Sequence, residues 1–184
     1  MTVYSLVLFT HFLGLVALFV GYGLEWTASS LLRRSATSDH ARSWLRIYKL
    51  SLPISGPGLL VLILSGGYMA SVTGSIRQGW ISASLLAIVF ALGIGFVFIL
   101  PRVKRIRAAL PEGNINLPAN IVARLQDPVL TTLIRVRFLL ALGIVYLMTL
   151  QTALLSTSLF ILLGAIVVGL LCAATSWTTR PKAV

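Results

Sequence analysis

The chain has 184 residues, 58% of them hydrophobic and 10% charged, with a mean hydropathy of +0.97. A water-soluble domain of this length carries about a quarter of its residues as charged side chains, so the composition excludes one and defines an integral membrane protein. The formal net charge of +11 does not mark a nucleic-acid surface, because the Lys and Arg residues lie between apolar runs, where membrane topology puts them.

The first span predicted runs from Val3 to Leu24. No Lys or Arg precedes it, so it reads as a retained helix and not a cleavable signal sequence. Next comes "SDHARSWLRIYKL", where Ser38 or Asp39 offers an N-cap and Ala41, Trp44, Leu45 and Tyr48 recur at helical spacing. This predicts an interfacial amphipathic helix or a cytoplasmic extension of the second span, with Pro53 and Pro57 kinking the junction. The second span covers Gly56 to Thr73, and the third covers Trp80 to Leu100, where Pro101 and "RVKRIR" are expected to end it. "LPEGNINLPAN" reads as loop, followed by a short helix from Pro118 through Leu125 and a helix start with Asp127 as N-cap and Pro128 at its first position. The fourth span is placed at Val136 to Leu154 and the fifth at Leu159 to Ser176, joined by a turn at "STS". Cys172, the single cysteine, lies in this last apolar run; it excludes an intrachain disulfide and reads as a packing residue.

The expected architecture is therefore all-α: one polytopic membrane domain over residues 1–184, five transmembrane helices in a bundle. With five spans, fourteen of the fifteen basic residues fall on one side and only Arg77 on the other. The positive-inside rule then puts the N-terminus outside and the C-terminus in the cytoplasm, in the manner of a multi-pass protein of a bacterial inner membrane. Arg137, at the start of the fourth span, is expected to snorkel to the basic side. Tyr4 and Trp80 fall near the outer interface, and Trp26, Trp44, Tyr48 and Trp177 near the inner one. The basic faces would meet anionic lipid headgroups, at about 1 kcal/mol per residue near the surface.

His11, Gly14, Leu18, Gly21 and Glu25 are spaced by three and four residues, so they form one stripe of the first helix. Small residues let a second helix approach, so this stripe should face other helices and not lipid. His11 and Glu25 lie roughly 21 Å apart along the axis and cannot touch. Glu25 belongs to the cytoplasmic boundary, as an ion-pair partner of Arg33, Arg34 or another basic residue there, or as a proton relay. His11 lies inside the apolar slab, where one helix-to-helix hydrogen bond would satisfy it; a ligand or proton-handling role is the alternative. Met69 and Met148 fall at a similar depth in the outer half, and Gln151, Tyr68 and Tyr146 join that layer. One imidazole with two thioethers suits a copper ion, and His with Met suits haem. His40, the other histidine, lies in the cytoplasmic segment and reads as solvated.

The chain has no G-x-x-x-x-G-K-[ST], C-x-x-C, H-E-x-x-H or G-x-S-x-G motif. "GYG" at 21–23 lies in an uninterrupted apolar helix and reads as a packing surface, not a potassium filter. Gly66 with Gly67, "GIG" at 93–95, and Gly164 with Gly169 also read as close helix contacts.

"THFLGLVALFVGYG" in the first span, "LILSGGYM" followed by "GWISASLL", and "VRFLLALGIVYLM" in the fourth together resemble a family of bacterial integral membrane proteins classed as a domain of unknown function. The early helix histidine is more distantly similar to that of copper-resistance D type membrane proteins. The resemblance implies His11 as the residue of interest. Three readings follow: a non-enzymatic membrane protein with a polar or ligand site around His11; a copper- or haem-binding membrane protein using His11 with Met69 or Met148; and an accessory subunit whose glycine faces dock a membrane-protein partner or a second copy.

Overall fold

The structure, a computed structural model, describes residues 3–113 and 115–178. The side chain of Trp177, and Arg180 and Lys182 of the basic tail, lie outside the described set. Among the described residues seven α-helices follow one another: α1 (Val3–Leu32), α2 (Ser38–Val72), α3 (Gly79–Gly93), α4 (Leu100–Ala109), α5 (Ala119–Leu125), α6 (Pro128–Leu150) and α7 (Leu155–Thr178). A π-helical turn, Ile94–Ile99, welds α3 to α4. Among the described residues five stretches are long and apolar enough to cross a membrane: Val3–Leu32, Ser38–Val72, Gly79–Ala109, Ala119–Leu150 and Leu155–Thr175.

Large apolar side chains cover the outside, and small ones fill the contacts. Phe9, Phe12, Val16, Leu86, Val89 and Phe160 are exposed, whereas Ala83, Ala87, Ala91, Ala141 and Ala173 are buried. That inversion suits an apolar surrounding, in which close backbone approach is the main source of helix association. α1 and α2 approach most closely: a Cβ on Gly14 would lie 2.9 Å from the Gly58 carbonyl oxygen, and one on Gly21 would lie 2.5 Å from the Ser55 Cβ. α6 and α7 meet the same way, with Gly143 against Ala165 and Gly169 against Val136.

The two ends of the bundle are closed differently. At the end opposite the basic loops, the turn after α6 turns back at Gln151, which is left-handed with φ 47°. Its carbonyls at Thr152 and Ala153 accept from the amides of Trp80 and Gly79, which satisfies orphan donors of α3. At the basic end, the α1–α2 turn pairs with the 110–118 loop: Ser38 N donates to Ile115 O (3.0 Å) and Leu117 N to Ala36 O (2.9 Å). The Ser38 hydroxyl adds a bond to Gly113 O. Beneath them Leu32, Ala41, Leu45, Ile106, Ile121 and Leu125 belong to one buried apolar cluster.

Several sequence-based boundaries move. α2 is one helix from Ser38, so the amphipathic segment extends the second span; its N-cap is Thr37, not Ser38 or Asp39. It stays unbroken through Pro53 and Pro57. Pro101 does not end the third span. Its ring would collide with the Val97 carbonyl in a regular α-helix, and the π-helical turn just before it widens the chain there, so the helix runs on to Ala109. The fourth helix begins at Pro128 and ends at Leu150, and "STS" lies inside α7, leaving 151–154 as the turn. Asp127 does cap α6, its carboxylate accepting from Val129 N at 2.9 Å, and α5 does open after Pro118.

Candidate functional site

The stripe of α1 is buried as its spacing requires: His11, Gly14, Leu18, Gly21 and Glu25 all face inward. Its two polar residues meet different partners. His11 Nδ1 lies 2.9 Å from Ser65 Oγ on α2. Ser65 gives its own hydrogen to the Val61 carbonyl one turn back. With its hydrogen on that carbonyl, the serine oxygen is free to accept from His11 Nδ1–H. A Cβ on Gly66 would lie 3.3 Å from His11 Cε1, so the absence of a side chain there seats the ring.

The other members of the predicted outer layer scatter. Met69 follows Ser65 by one turn on α2. Met148 packs with Ala83, Ala87, Leu147 and Leu162 in the α3–α6–α7 seam, away from the α1–α2 seam that holds His11. Tyr68 and Tyr146 are exposed, and Gln151 serves as the exposed left-handed cap of α6. The backbones of α1 and α2 pack too tightly at Gly14 and Gly58 to admit a macrocycle between them. Among the described residues no three His, Cys, Asp or Glu side chains converge as metal ligands. The contacts made by His11 are those of a hydrogen-bonded seam between α1 and α2.

Glu25 is 5% exposed and forms the expected ion pair with a basic residue, which is Arg137 of α6. Arg137 Nη1 lies 3.1 Å from Glu25 Oε2 and 3.3 Å from Oε1, and the Ser51 hydroxyl donates to Oε1 at 3.1 Å. Arg137 does not snorkel: it is 7% exposed, with its guanidinium 4.3 Å above the Tyr22 ring. Space for it comes from Gly95 in the π-helical turn, where a Cβ would lie 3.1 Å from Nη1. Arg135, two residues away, points elsewhere, over the Trp26 ring at 5.3 Å and onto the Cys172 carbonyl. One helix side chain in the pair had to turn inward, because residues two apart lie about 200° round the helix.

A cleft of about 470 Å³ adjoins this ion pair. α2 packs along α1, and the α3–α4 helix packs on α6; the space between α2 and α3–α4 is left open. Its walls are mainly apolar, with Leu18, Leu59, Leu92 and Phe96 among them, and Glu25 and Arg137 stand in its lining. The Arg137 Nε is buried there with no hydrogen-bond partner among the described residues. Toward the basic end the lining changes to Lys49, Lys104 and Arg107. The volume and the mix of apolar wall and few polar groups are those of a small-molecule site. The sequence carried a signal for it: a lone acid in a long apolar run demands a cation at its own depth, and Arg137 was the arginine placed within an apolar span.

No family model, curated protein or solved structure matches this chain.

Proposed function

We propose that this chain is a multi-pass membrane protein of a bacterial inner membrane, N-terminus outside and C-terminus cytoplasmic, that binds a membrane-dissolved amphiphile in the cleft beside Glu25 and Arg137. Its role is binding and not catalysis. The observation that carries the reading is the cleft itself: an apolar trough between α2 and α3–α4 that ends in cations at one end and has a buried ion pair in its lining. Leu52 and Phe96, both exposed, stand on its flank and give an acyl chain a lateral way in from lipid. Glu25 is neutralised by Arg137, so it does not repel an anionic head. His11 then serves the packing of α1 on α2.

A phospholipid with a photoactivatable group on its acyl chain tests this in native membranes. Adducts should concentrate on the peptides holding Leu52, Leu59 and Phe96. Gly56 lines the cleft and a Cβ there would meet nothing within 4 Å, so Gly56→Phe should fill the space and remove those adducts. Labelling spread evenly over all lipid-facing positions, Phe160 of α7 included, would defeat the proposal; Phe160 is 73% exposed and far more open to bulk lipid.

A further inference from the structure

A second, smaller space of about 220 Å³ lies against the basic end of the cleft, lined by Arg42, Leu45, Arg46, Lys49 and Arg107. Leu45, Lys49 and Arg107 line both spaces, so the two are continuous. Lys104 stands in the wall of the first. No carboxylate lines the smaller space, and none of its four cations has an ion-pair partner among the described residues. Arg42 is fixed by donating from Nη2 to the Pro111 carbonyl, which holds its guanidinium at the wall. Four uncompensated cations around so small a volume repel one another, and an anion of high charge density relieves them.

Resting on the reading of the cleft as an amphiphile site, we infer that its occupant carries a head with two phosphate groups. The head is held in the vestibule by Arg42, Arg46, Lys49 and Arg107, and the chain lies in the cleft. Guanidinium groups bind phosphate through paired N–H donors, and ammonium groups bind it as point charges. One phosphate would leave most of the four cations uncompensated, whereas two supply two or more negative charges within reach of all four. Basic pockets between helices on the cytoplasmic side are a general solution for multiply anionic lipid heads. The shared chemistry is found in a diphosphatidyl glycerolipid and in an isoprenoid diphosphate.

The test uses the full-length protein in neutral-lipid nanodiscs and measures retention of three probes by native mass spectrometry. These are diphosphatidylglycerol, an isoprenoid diphosphate and the one-phosphate lipid phosphatidylglycerol. At least one two-phosphate probe should bind about tenfold more tightly than phosphatidylglycerol, and which one does so identifies the source. Arg46→Gln, Lys49→Gln and Arg107→Gln combined should erase that preference; all three residues are exposed, so the fold should persist, and an unchanged melting temperature confirms it. Equal binding of one- and two-phosphate lipids, or a preference that survives the triple substitution, overturns the inference. Gly56→Phe separates the two levels: if it leaves all three probes bound, the cleft reading fails as well. If it abolishes binding while one- and two-phosphate lipids bound equally before, only the two-phosphate head is lost.

Discussion

Arg137 and Glu25 are each costly to bury alone, and each makes the other tolerable. Removing one partner of a buried pair leaves an uncompensated charge, at about 3–5 kcal/mol, whereas replacing both with apolar groups of similar volume is near neutral. Arg137→Leu should therefore destabilise the protein by about 3–5 kcal/mol, and Glu25→Leu combined with Arg137→Leu by much less. Unfolding in mixed micelles measures both; a double variant as unstable as the single one would mean that the loss does not come from an orphaned Glu25 charge. The His11 contact is a neutral hydrogen bond between two helices, and bonds of that kind contribute about 0.5–2 kcal/mol. Ser65→Ala should lower stability by that smaller amount, and a loss above about 3 kcal/mol would show that His11 does more than link α1 to α2.

At the scale of the element, the glycines of α1 are not equivalent although they lie close in sequence. A Cβ on Gly21 would come within 2.5 Å of the Ser55 Cβ and 2.8 Å of the Ser51 carbonyl oxygen; one on Gly23 would meet nothing within 4 Å. Gly21→Ala should push α1 from α2 and cost about 1–3 kcal/mol of overpacking. Gly23→Ala should be neutral or gain up to about 1 kcal/mol from helix propensity. Thermal melts of the two variants in the same detergent decide the matter, and equal melting temperatures would contradict the packing described. The "GYG" tripeptide thus read correctly as a packing surface, but only its first glycine makes the contact. Apolar run length was enough to find five long helices. It failed at their ends, because proline stop signals were outweighed locally: the π-helical turn absorbs Pro101, and the lead-in of Ala41, Trp44, Leu45 and Tyr48 is continuous with the apolar part of α2.

For the molecule as a whole, the proposed direction in the membrane rests on the charge asymmetry. A cysteine in place of Ile76, 57% exposed in the turn between α2 and α3, should react with an impermeant reagent added to intact cells. A cysteine in place of Glu112, exposed in the basic loop, should react only after the membrane is opened. The reverse labelling pattern would invert the topology. Span counting gives each residue an expected depth, which groups His11 with Met69 and Met148. Depth carries no angle about the bundle axis, so Met148 could share a layer with His11 and still belong to another seam. Depth alone points from Glu25 to Arg137, but the angle that brings them together is hidden for the same reason: the pair joins α1 to α6 across the bundle, and no local period in either helix names the other.

That pair spans 112 residues of sequence, which matters while the chain is being made. Synthesis at roughly 5–20 residues per second leaves roughly 6–22 s between the appearance of the carboxyl and of its guanidinium. During that interval Ser51, the carboxyl's other hydrogen-bond partner, is already made and Arg137 is not. A chain in which α6 has not yet been made therefore holds Glu25 without the guanidinium that compensates it in the finished fold.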